Sequence, residues 1–232
     1  RHIESYRFDL ASKEIYEFIW NDYCDWYIEL SKPVIYSDSS SVEQKRAARK
    51  TLVTVLESML RLLHPIMPYI TEELWQKVAP LAGVEGETIM LQPYPVSDET
   101  LINQQAIEEL SWVKTFIMGI RQIRSEMDIK PGKPLPVLLQ NGSEKDSFRL
   151  NNNESLLLSL AKLESITWLK ADENAPESAT SLVGDMNLLI PLAGLIDKEA
   201  ELARLEKNMD KFKSEAERIK GKLSNANFVD RA

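Results

Sequence analysis

Few residues in this chain are of the types that perform covalent chemistry or hold a metal ion. Its 232 residues include one cysteine, Cys24, and two histidines, His2 and His64. A structural zinc site needs four ligands, and a nucleophile needs an adjacent base. We therefore predict no catalytic residue and no metal site. His64, at the end of a helical pattern, is interpreted as structural, and Cys24, among aromatic residues, as a small core side chain.

Aromatic and basic residues near the N-terminus favour a different chemistry, the binding of an unpaired nucleotide. Tyr6, Arg7 and Phe8 are consecutive and stand at the entry to a helical pattern. An aromatic ring there could stack on a base while the guanidinium contacts a phosphate or a base edge. In the alternative interpretation, Phe8 is a hydrophobic staple and Arg7 an ordinary surface charge. The residues by themselves leave both open.

A second aromatic cluster follows within the same helical pattern. It contains Trp20, Tyr23, Trp26 and Tyr27. Most of these rings are predicted to be core. Asn21 and Asp25 alternate with them and are candidate readers of base edges.

Basic residues recur at helical spacing in two further places. Four of them form two like-charged i,i+4 pairs: Lys45, Arg46, Arg49 and Lys50. Like charges at this spacing disfavour a helix slightly, so they could face phosphates or simply water. Arg121 and Arg124 lie one turn apart and could pair with acids such as Glu126 or bind a partner.

The composition sets limits on these interpretations. The net charge of −8 argues mildly against nucleic acid, but one basic surface is sufficient for binding it. A single cysteine suits the reducing cytoplasm, and no apolar stretch approaches the roughly 18 residues of a membrane span. The chain lacks an initiator Met and stops at Ala232, so we expect it to be part of a longer protein.

Periodicity predicts a mainly α-helical chain whose first part, residues 1–128, is an antiparallel bundle of four helices. The first runs over residues 10–31 from an N-cap at Asp9 and is stopped by Pro33. Ser41 and Gln44 form a capping box that opens the second, which ends at His64-Pro65. The third is capped by Thr71-Glu72-Glu73, beyond Pro68. The fourth begins at Asp98, after a loop that contains Pro80.

Residues 129–194 are predicted to form a small α/β subdomain. A strand is expected at 135–140, followed by a helix over 154–163 and two or three strand-like segments at 165–170, 180–184 and 187–192. Gly184-Asp185 predicts a hairpin turn between the last two strands.

Residues 195–232 show the most regular pattern in the sequence, a coiled-coil helix. Its apolar positions alternate three and four residues apart: Leu202, Leu205, Met209, Phe212, Ala216, Ile219 and Leu223. Such a seam needs a partner helix, so we expect it to pair with a returning helix or with a second copy of the chain. Lys220, Lys222 and Arg231 are candidate contacts to an RNA backbone.

Four segments give the sequence a resemblance to a known family. The segment 62–75, LLHPIMPYITEELW, resembles the anticodon-binding domain of the class I synthetases for valine, isoleucine and leucine. Segment 7–27, from RFD to WNDYCDWY, resembles the valyl enzymes in particular. The segment IRQIRSEM at 120–127, with the PGK that follows it, also resembles the valyl enzymes. The terminal coiled coil that ends in NFVDRA resembles them as well. The chain is therefore identified as similar to the C-terminal part of bacterial-type valyl-tRNA synthetases.

The resemblance implies a function that the residues alone do not establish. Enzymes of this family join valine to its tRNA using ATP with magnesium, but their signatures His-Ile-Gly-His and Lys-Met-Ser-Lys-Ser are absent from this sequence. The implied partners are valine tRNA and the enzyme's catalytic and editing domains, in a monomeric cytoplasmic enzyme. The bundle would read the middle adenine and third-position cytosine of the anticodon, with Arg121 and Arg124 near the anticodon stem. The coiled coil would hold the outer corner of the tRNA. A non-RNA scaffold with an oligomerisation arm is the alternative of another class.

Overall fold

A computed structural model describes residues 2–170, 173–193 and 198–223, and in the last range the side chains of Glu206 and of residues 208–221. It is mainly helical with one four-stranded sheet. The chain divides into two compact units, residues 1–118 with 143–163, and residues 119–142 with 164–232. The predicted domain boundaries after residues 128 and 194 remain a prediction.

The first helical pattern is continuous but longer than expected, and its middle is unusual. It comprises α1 (Phe8–Glu17), a π-helical segment (Phe18–Tyr27) and α2 (Ile28–Tyr36). Pro33 was expected to stop the helix, which is wrong, because a proline removes only one backbone donor and the helix continues around it to Tyr36. The predicted N-cap at Asp9 is also wrong: Arg7 occupies the cap position, and Asp9 lies in the first turn.

The next two helices, α3 (Val42–Leu63) and α4 (Pro68–Ala82), pack against each other. The capping box of Ser41 and Gln44 is confirmed, with both reciprocal hydrogen bonds present. The prediction that α4 starts at Thr71 is wrong. Pro68 is its first residue, because the φ angle of proline suits the first helical turn and the missing N–H is unpaired there in any case.

Two further predicted boundaries are corrected. Pro80, expected in a loop, lies inside α4, which ends at Gly83 in the left-handed conformation. Asp98 caps only a single 3-10 turn, and α5 (Gln104–Glu126) begins after Asn103, whose side chain accepts a hydrogen bond from Ala106 N–H. A polar capping residue stabilises the helical turn that directly follows it, but it does not determine how long the helix is.

The helix predicted at 154–163 is confirmed in type but begins ten residues earlier, as α6 (Glu144–Leu160). The missed signal is Ser143 with Asp146, a capping box in which aspartate replaces the usual glutamate. Asp146 also accepts a hydrogen bond from the Trp112 indole of α5 at 2.8 Å. This bond joins the start of α6 to the first part of α5.

All the predicted strand segments are confirmed, β1 with its predicted boundaries and the other three with boundaries shifted by one to two residues: β1 (Leu135–Gln140), β2 (Leu163–Trp168), β3 (Ser178–Val183) and β4 (Met186–Pro191). The sheet order is β2-β1-β4-β3, with β4 antiparallel to both β1 and β3. The predicted hairpin is confirmed, since Val183 pairs with Met186 and Gly184 has a φ of 62°. Alternate β1 side chains, Leu135, Val137 and Leu139, are fully buried.

The last described helix is α7 (Lys198–Leu223), and it carries the predicted seam. Met209, Phe212 and Ile219 are 51%, 66% and 51% exposed. The pairing of this seam in a coiled coil remains a prediction. The sequence also predicts Asp197 as the N-cap of this helix, and this residue lies outside the described residues.

We expect Asp146 to make the stability of the first unit depend on pH. Partial burial raises the pKa of Asp146, whereas hydrogen bonds from Ser143 and Trp112 lower it. Together the hydrogen bonds outweigh the burial, so the pKa lies below its ordinary value. A group with a lowered pKa stabilises the fold above its unfolded pKa of about 4, and this contribution is lost as the pH falls through the lower folded pKa. Asp146→Asn should therefore reduce the free energy of unfolding at pH 7, and the difference from the parent should shrink in acid.

Urea unfolding measured from neutral to acidic pH tests this expectation. Glu144→Gln, in the same exposed first turn, is the matched control and should follow the parent closely. A difference between Asp146→Asn and the parent that is constant with pH would show that the Asp146 charge does not stabilise the cap.

Candidate nucleic-acid interface

The start of α1 carries the first group of predicted site residues, and the structure brings them together. The rings of Tyr6 and Phe8 meet edge to face, with centroids 6.3 Å apart. Tyr6 is 81% exposed and has a φ of 57°, an uncommon conformation for a residue with a bulky side chain. Phe8 is 58% exposed. Both rings are therefore accessible to a planar ligand.

Arg7, between these two rings, is engaged by a neighbouring acid. Its Nε and Nη2 atoms donate to the Asp9 carboxylate at 2.9 and 2.7 Å. The hydrogen bond from Arg7 lowers the pKa of Asp9, so this carboxylate stays charged in mild acid. A phosphate would have to share or replace Asp9 in order to bind the Arg7 guanidinium.

The π-helical segment presents the second group. Asn21 and Asp25 are both exposed and four residues apart. Because a π-helix bonds each N–H to the carbonyl five residues back, residues four or five apart lie on one side. Immediately before them, Tyr16 and Trp20 stack in parallel, with planes 2° apart and centroids at 6.4 Å, although both are more than half exposed.

The opposite side of the π-helical segment borders a groove of about 420 Å³. Its aromatic wall consists of Phe18, Tyr23, Trp26 and Tyr27, and α3 and α5 supply Thr51, Val55, Ile107 and Leu110. Tyr23 is buried, and its hydroxyl donates to the Leu52 carbonyl at 2.9 Å. Burial of the Tyr23 ring raises the pKa of its hydroxyl, which is therefore neutral at physiological pH.

A charged pair lies at the edge of this groove. Lys114 Nζ donates to Asp22 Oδ1 at 2.8 Å and is 5.5 Å from the centroid of the Trp26 ring. Sequence reasoning missed both Asp22 and Lys114. The i,i+4 spacing of Asp22 and Trp26 is a local pattern that could have indicated Asp22. Lys114 lies 92 positions away from Asp22, so no local pattern could have indicated that these two residues meet.

The basic residues of α3 are also free to meet a partner. Arg46, Arg49 and Lys50 are exposed and Lys45 is partly exposed. Within the described part of the chain, no acid forms an ion pair with these four side chains. This part of an acidic protein is therefore locally basic.

The remaining candidates have different surroundings. Arg121 is exposed, whereas Arg124 is 6% exposed and donates to the Lys130 carbonyl at 3.1 Å. Burial lowers the pKa of Arg124, and a guanidinium held in this way has a structural role at the end of α5. Lys220 is exposed and pairs with Glu217 at 3.1 Å.

Two candidates cannot be placed. The side chain of Lys222 and the whole of Arg231 lie outside the described residues.

The hydrogen bond of His64 fits its interpretation as a structural residue, whereas the intermediate burial of Cys24 leaves its place in the core a prediction. His64 Nδ1 lies 2.8 Å from the Thr71 hydroxyl, which in turn donates to the Met67 carbonyl. Cys24 is a free thiol of intermediate burial.

Among the described helices, none is long and apolar enough to cross a membrane.

Two family models match the chain. The model described as the anticodon-binding domain of tRNA ligase matches residues 1–139, more than half of the sequence. The chain therefore belongs to the family of tRNA ligases that carry this anticodon-binding domain, and tRNA is its partner. A second model, described as the valyl tRNA synthetase tRNA binding arm, matches residues 197–232. Together the two matches support the resemblance to the C-terminal part of valyl-tRNA synthetases.

Proposed function

We propose that this chain is the tRNA-reading part of a cytoplasmic valine–tRNA ligase. Residues 1–128 read the anticodon loop of valine tRNA, chiefly its middle adenine and third-position cytosine. The helix α7 begins the arm that holds the outer corner of the tRNA. ATP and magnesium are bound elsewhere in the whole enzyme, by its catalytic domain.

One observation carries the proposal, the exposure of several aromatic rings in the same unit that carries the unpaired cations of α3. The rings of Tyr6, Phe8, Tyr16 and Trp20 are all more than half exposed. Apolar groups gathered at a surface mark an interaction site, and aromatic rings beside basic residues suit the bases and phosphates of a single-stranded loop. The bases of such a loop can be splayed out and read, whereas an A-form stem offers mainly its backbone and shape.

An isoleucyl or leucyl enzyme is the alternative within the same class. The anticodon-binding match does not separate these enzymes, and the preference for valine rests on the arm match. Binding of the chain to valine, isoleucine and leucine tRNA transcripts, measured side by side, separates the three.

We expect Arg7 and its partner Asp9 to have opposite effects on RNA binding. Arg7→Ala should weaken binding of a hairpin RNA with the valine anticodon loop about fivefold, because one charge-assisted contact is lost. Asp9→Asn should strengthen binding, because the Asp9 carboxylate competes with phosphate for the Arg7 guanidinium.

Phe8→Ala should weaken binding and reduce the preference for the correct anticodon. Fluorescence anisotropy at several salt concentrations measures each effect, and binding of the parent should weaken as salt rises.

Lys13→Ala is the matched control, since Lys13 is an exposed cation of α1 that also pairs with an acid, Glu17. It should bind like the parent. If Arg7→Ala and Asp9→Asn shift the affinity in the same direction, the ion pair itself stabilises the site. If all these variants bind like the parent, the interface does not include the start of α1.

A further inference from the structure

We propose that the groove beside the π-helical segment is a pocket for one unpaired nucleobase of the tRNA loop. Trp26 supplies the stacking surface, and Asp22 and Lys114 supply the polar edge. This inference rests on the proposed function and adds a site that lies on the side of the π-helical segment facing α3 and α5. All residues that line the groove belong to the first unit.

The size and walls of the groove suit a small planar ligand. Its volume of about 420 Å³ lies within the ~300–1,000 Å³ typical of small-molecule sites. Such sites are mostly apolar with a few placed polar groups, and this groove combines four aromatic rings with one carboxylate and one ammonium. Phe18 and Ile107 line it and are 44% and 52% exposed, so the groove is open to solvent.

The charged pair gives the groove the hydrogen-bonding capacity that a base edge requires. The Lys114 ammonium has three donors, one of which goes to Asp22. The Asp22 side chain is 55% exposed, which leaves its carboxylate able to accept a hydrogen bond from an exocyclic amine. Lys114 can donate to a ring nitrogen or a carbonyl of the same base.

Lys114 holds its positive charge close to the Trp26 ring, at the polar edge of the groove. An ammonium 5.5 Å from the ring centroid is within cation–π distance. An aliphatic side chain from a protein partner would make no use of this cation or of the carboxylate beside it. The polar edge therefore favours a nucleobase as the occupant.

Charge around the groove favours a ligand that carries phosphates. Thr51 of α3 lines the groove, and Arg49 and Lys50 belong to the same helical turn. In the described chain, neither of these two cations has an acidic partner. The α3 wall of the groove is therefore adjacent in sequence to a basic stretch, which suits a ligand that carries phosphates.

The test combines variants of the protein with deletion of single bases from the RNA. Ser111 lines the groove, and Ser111→Trp should fill it without removing a core side chain. Lys114→Met keeps the hydrocarbon stem and removes the charge. Thr115→Trp, an exposed position on the same helix, and Lys77→Met, an exposed lysine paired with Glu73, are the matched controls. Circular dichroism and thermal melting establish that each variant is folded.

The probe is a hairpin RNA with the valine anticodon loop, in which each loop base is removed in turn. At one position, removal should weaken binding to the parent about tenfold, within the range of losses seen when base–aromatic stacking is removed. Ser111→Trp should bind the intact hairpin about tenfold more weakly, and the same base removal should then cost nothing more. Lys114→Met should bind severalfold more weakly, and both controls should bind like the parent.

The outcomes separate this inference from the function on which it rests. If the parent prefers the valine anticodon and the folded variants Ser111→Trp and Lys114→Met bind equally well, the groove is not a base pocket, whereas the proposed function stands. If the parent shows no anticodon preference, both are overturned. If Ser111→Trp changes only the self-association of the chain in sedimentation, the groove takes a protein side chain, and the inference is wrong.

Discussion

Glu57→Ala should lower the free energy of unfolding of the first unit by about 3–5 kcal/mol, the usual cost of breaking a buried ion pair. Glu57 lies in α3 and is 2% exposed. Its carboxylate accepts hydrogen bonds from Arg61 Nε and Nη2 at 2.9 and 2.8 Å and from Trp75 Nε1 at 2.8 Å. Removing the carboxylate leaves a largely buried guanidinium and a buried indole N–H without their partner. Urea unfolding followed by tryptophan fluorescence measures the loss.

Glu73→Ala is the matched control for this variant. Glu73 also pairs with a cation one turn away, Lys77 at 2.7 Å, but both side chains are about two-thirds exposed. Exposed pairs contribute about 0–1 kcal/mol, so the control should unfold almost like the parent. Glu57→Gln should fall between the two, because an amide oxygen can still accept from Trp75. Equal stabilities for Glu57→Ala and Glu73→Ala would mean that the buried network does not hold α3 to α4.

This network has a consequence for function as well as for stability. Arg61 also donates to the Pro93 carbonyl at 2.8 Å, so one carboxylate organises α3, α4 and the chain after them. The same α3 carries the unpaired cations and the groove-lining Thr51. We therefore expect Glu57→Ala to weaken RNA binding indirectly, in proportion to the fraction of the unit that is unfolded.

Gly142→Ala should destabilise the sheet-containing unit by about 2–3 kcal/mol, in the upper part of the range for overpacked sites. A Cβ at this position would lie 2.3 Å from Cη2 and 2.5 Å from Cζ3 of Trp168, and 3.2 Å from Met186 Sδ. Trp168 ends β2 and Met186 begins β4. A rigid indole ring cannot bend away, so the ring or the backbone of the turn must shift. Hydrogen exchange of the β1 and β4 amides, together with urea unfolding, measures the effect.

Gly132→Ala is the control in the same unit, because a Cβ there meets nothing within 4 Å. It should be neutral or slightly stabilising, since alanine restricts the unfolded chain more than glycine does. Gly142→Ala combined with Trp168→Leu should show less than the sum of the two separate losses, because the smaller side chain leaves room for the Cβ. A stable Gly142→Ala single variant would show that the Trp168 ring can leave this position at little cost.

Local patterns predicted most of the secondary structure of this chain, because they depend on short-range physics. A short apolar run bounded by Asn141-Gly142 predicted β1, and Gly184-Asp185 predicted the hairpin between β3 and β4. A serine followed three residues later by glutamine predicted the start of α3. The errors were at prolines and caps. Pro33 and Pro80 lie inside helices, since one missing donor costs less than the packing that the helix gains from its neighbours. Pro68 is the first residue of α4, where its missing N–H is unpaired in any case.

The candidate site was predicted only where its members are close in sequence. Tyr6, Arg7 and Phe8 could be proposed together because they are consecutive. Asp9, two residues after Arg7, was interpreted as a helix cap, although its carboxylate holds the Arg7 guanidinium. Arg124 had the spacing of a surface cation, yet its burial depends on how the chain folds over the end of α5. Spacing places a side chain on a helical face, but it does not determine what covers that face.

The sequence by itself determined the family of this protein, its helical periodicity and the residue types available to bind RNA. Those properties reside in short motifs and in composition, which survive without any knowledge of the fold. Only the tertiary structure decided which charges meet: Lys114 reaches Asp22 across 92 positions, and Trp75 reaches Glu57 across 18. Contacts between distant segments depend on how helices pack, because burial and charge pairing are set by the sum of many weak interactions over the whole unit. The groove at Trp26 exists for that reason, since three separate segments of the chain must pack together to form its walls.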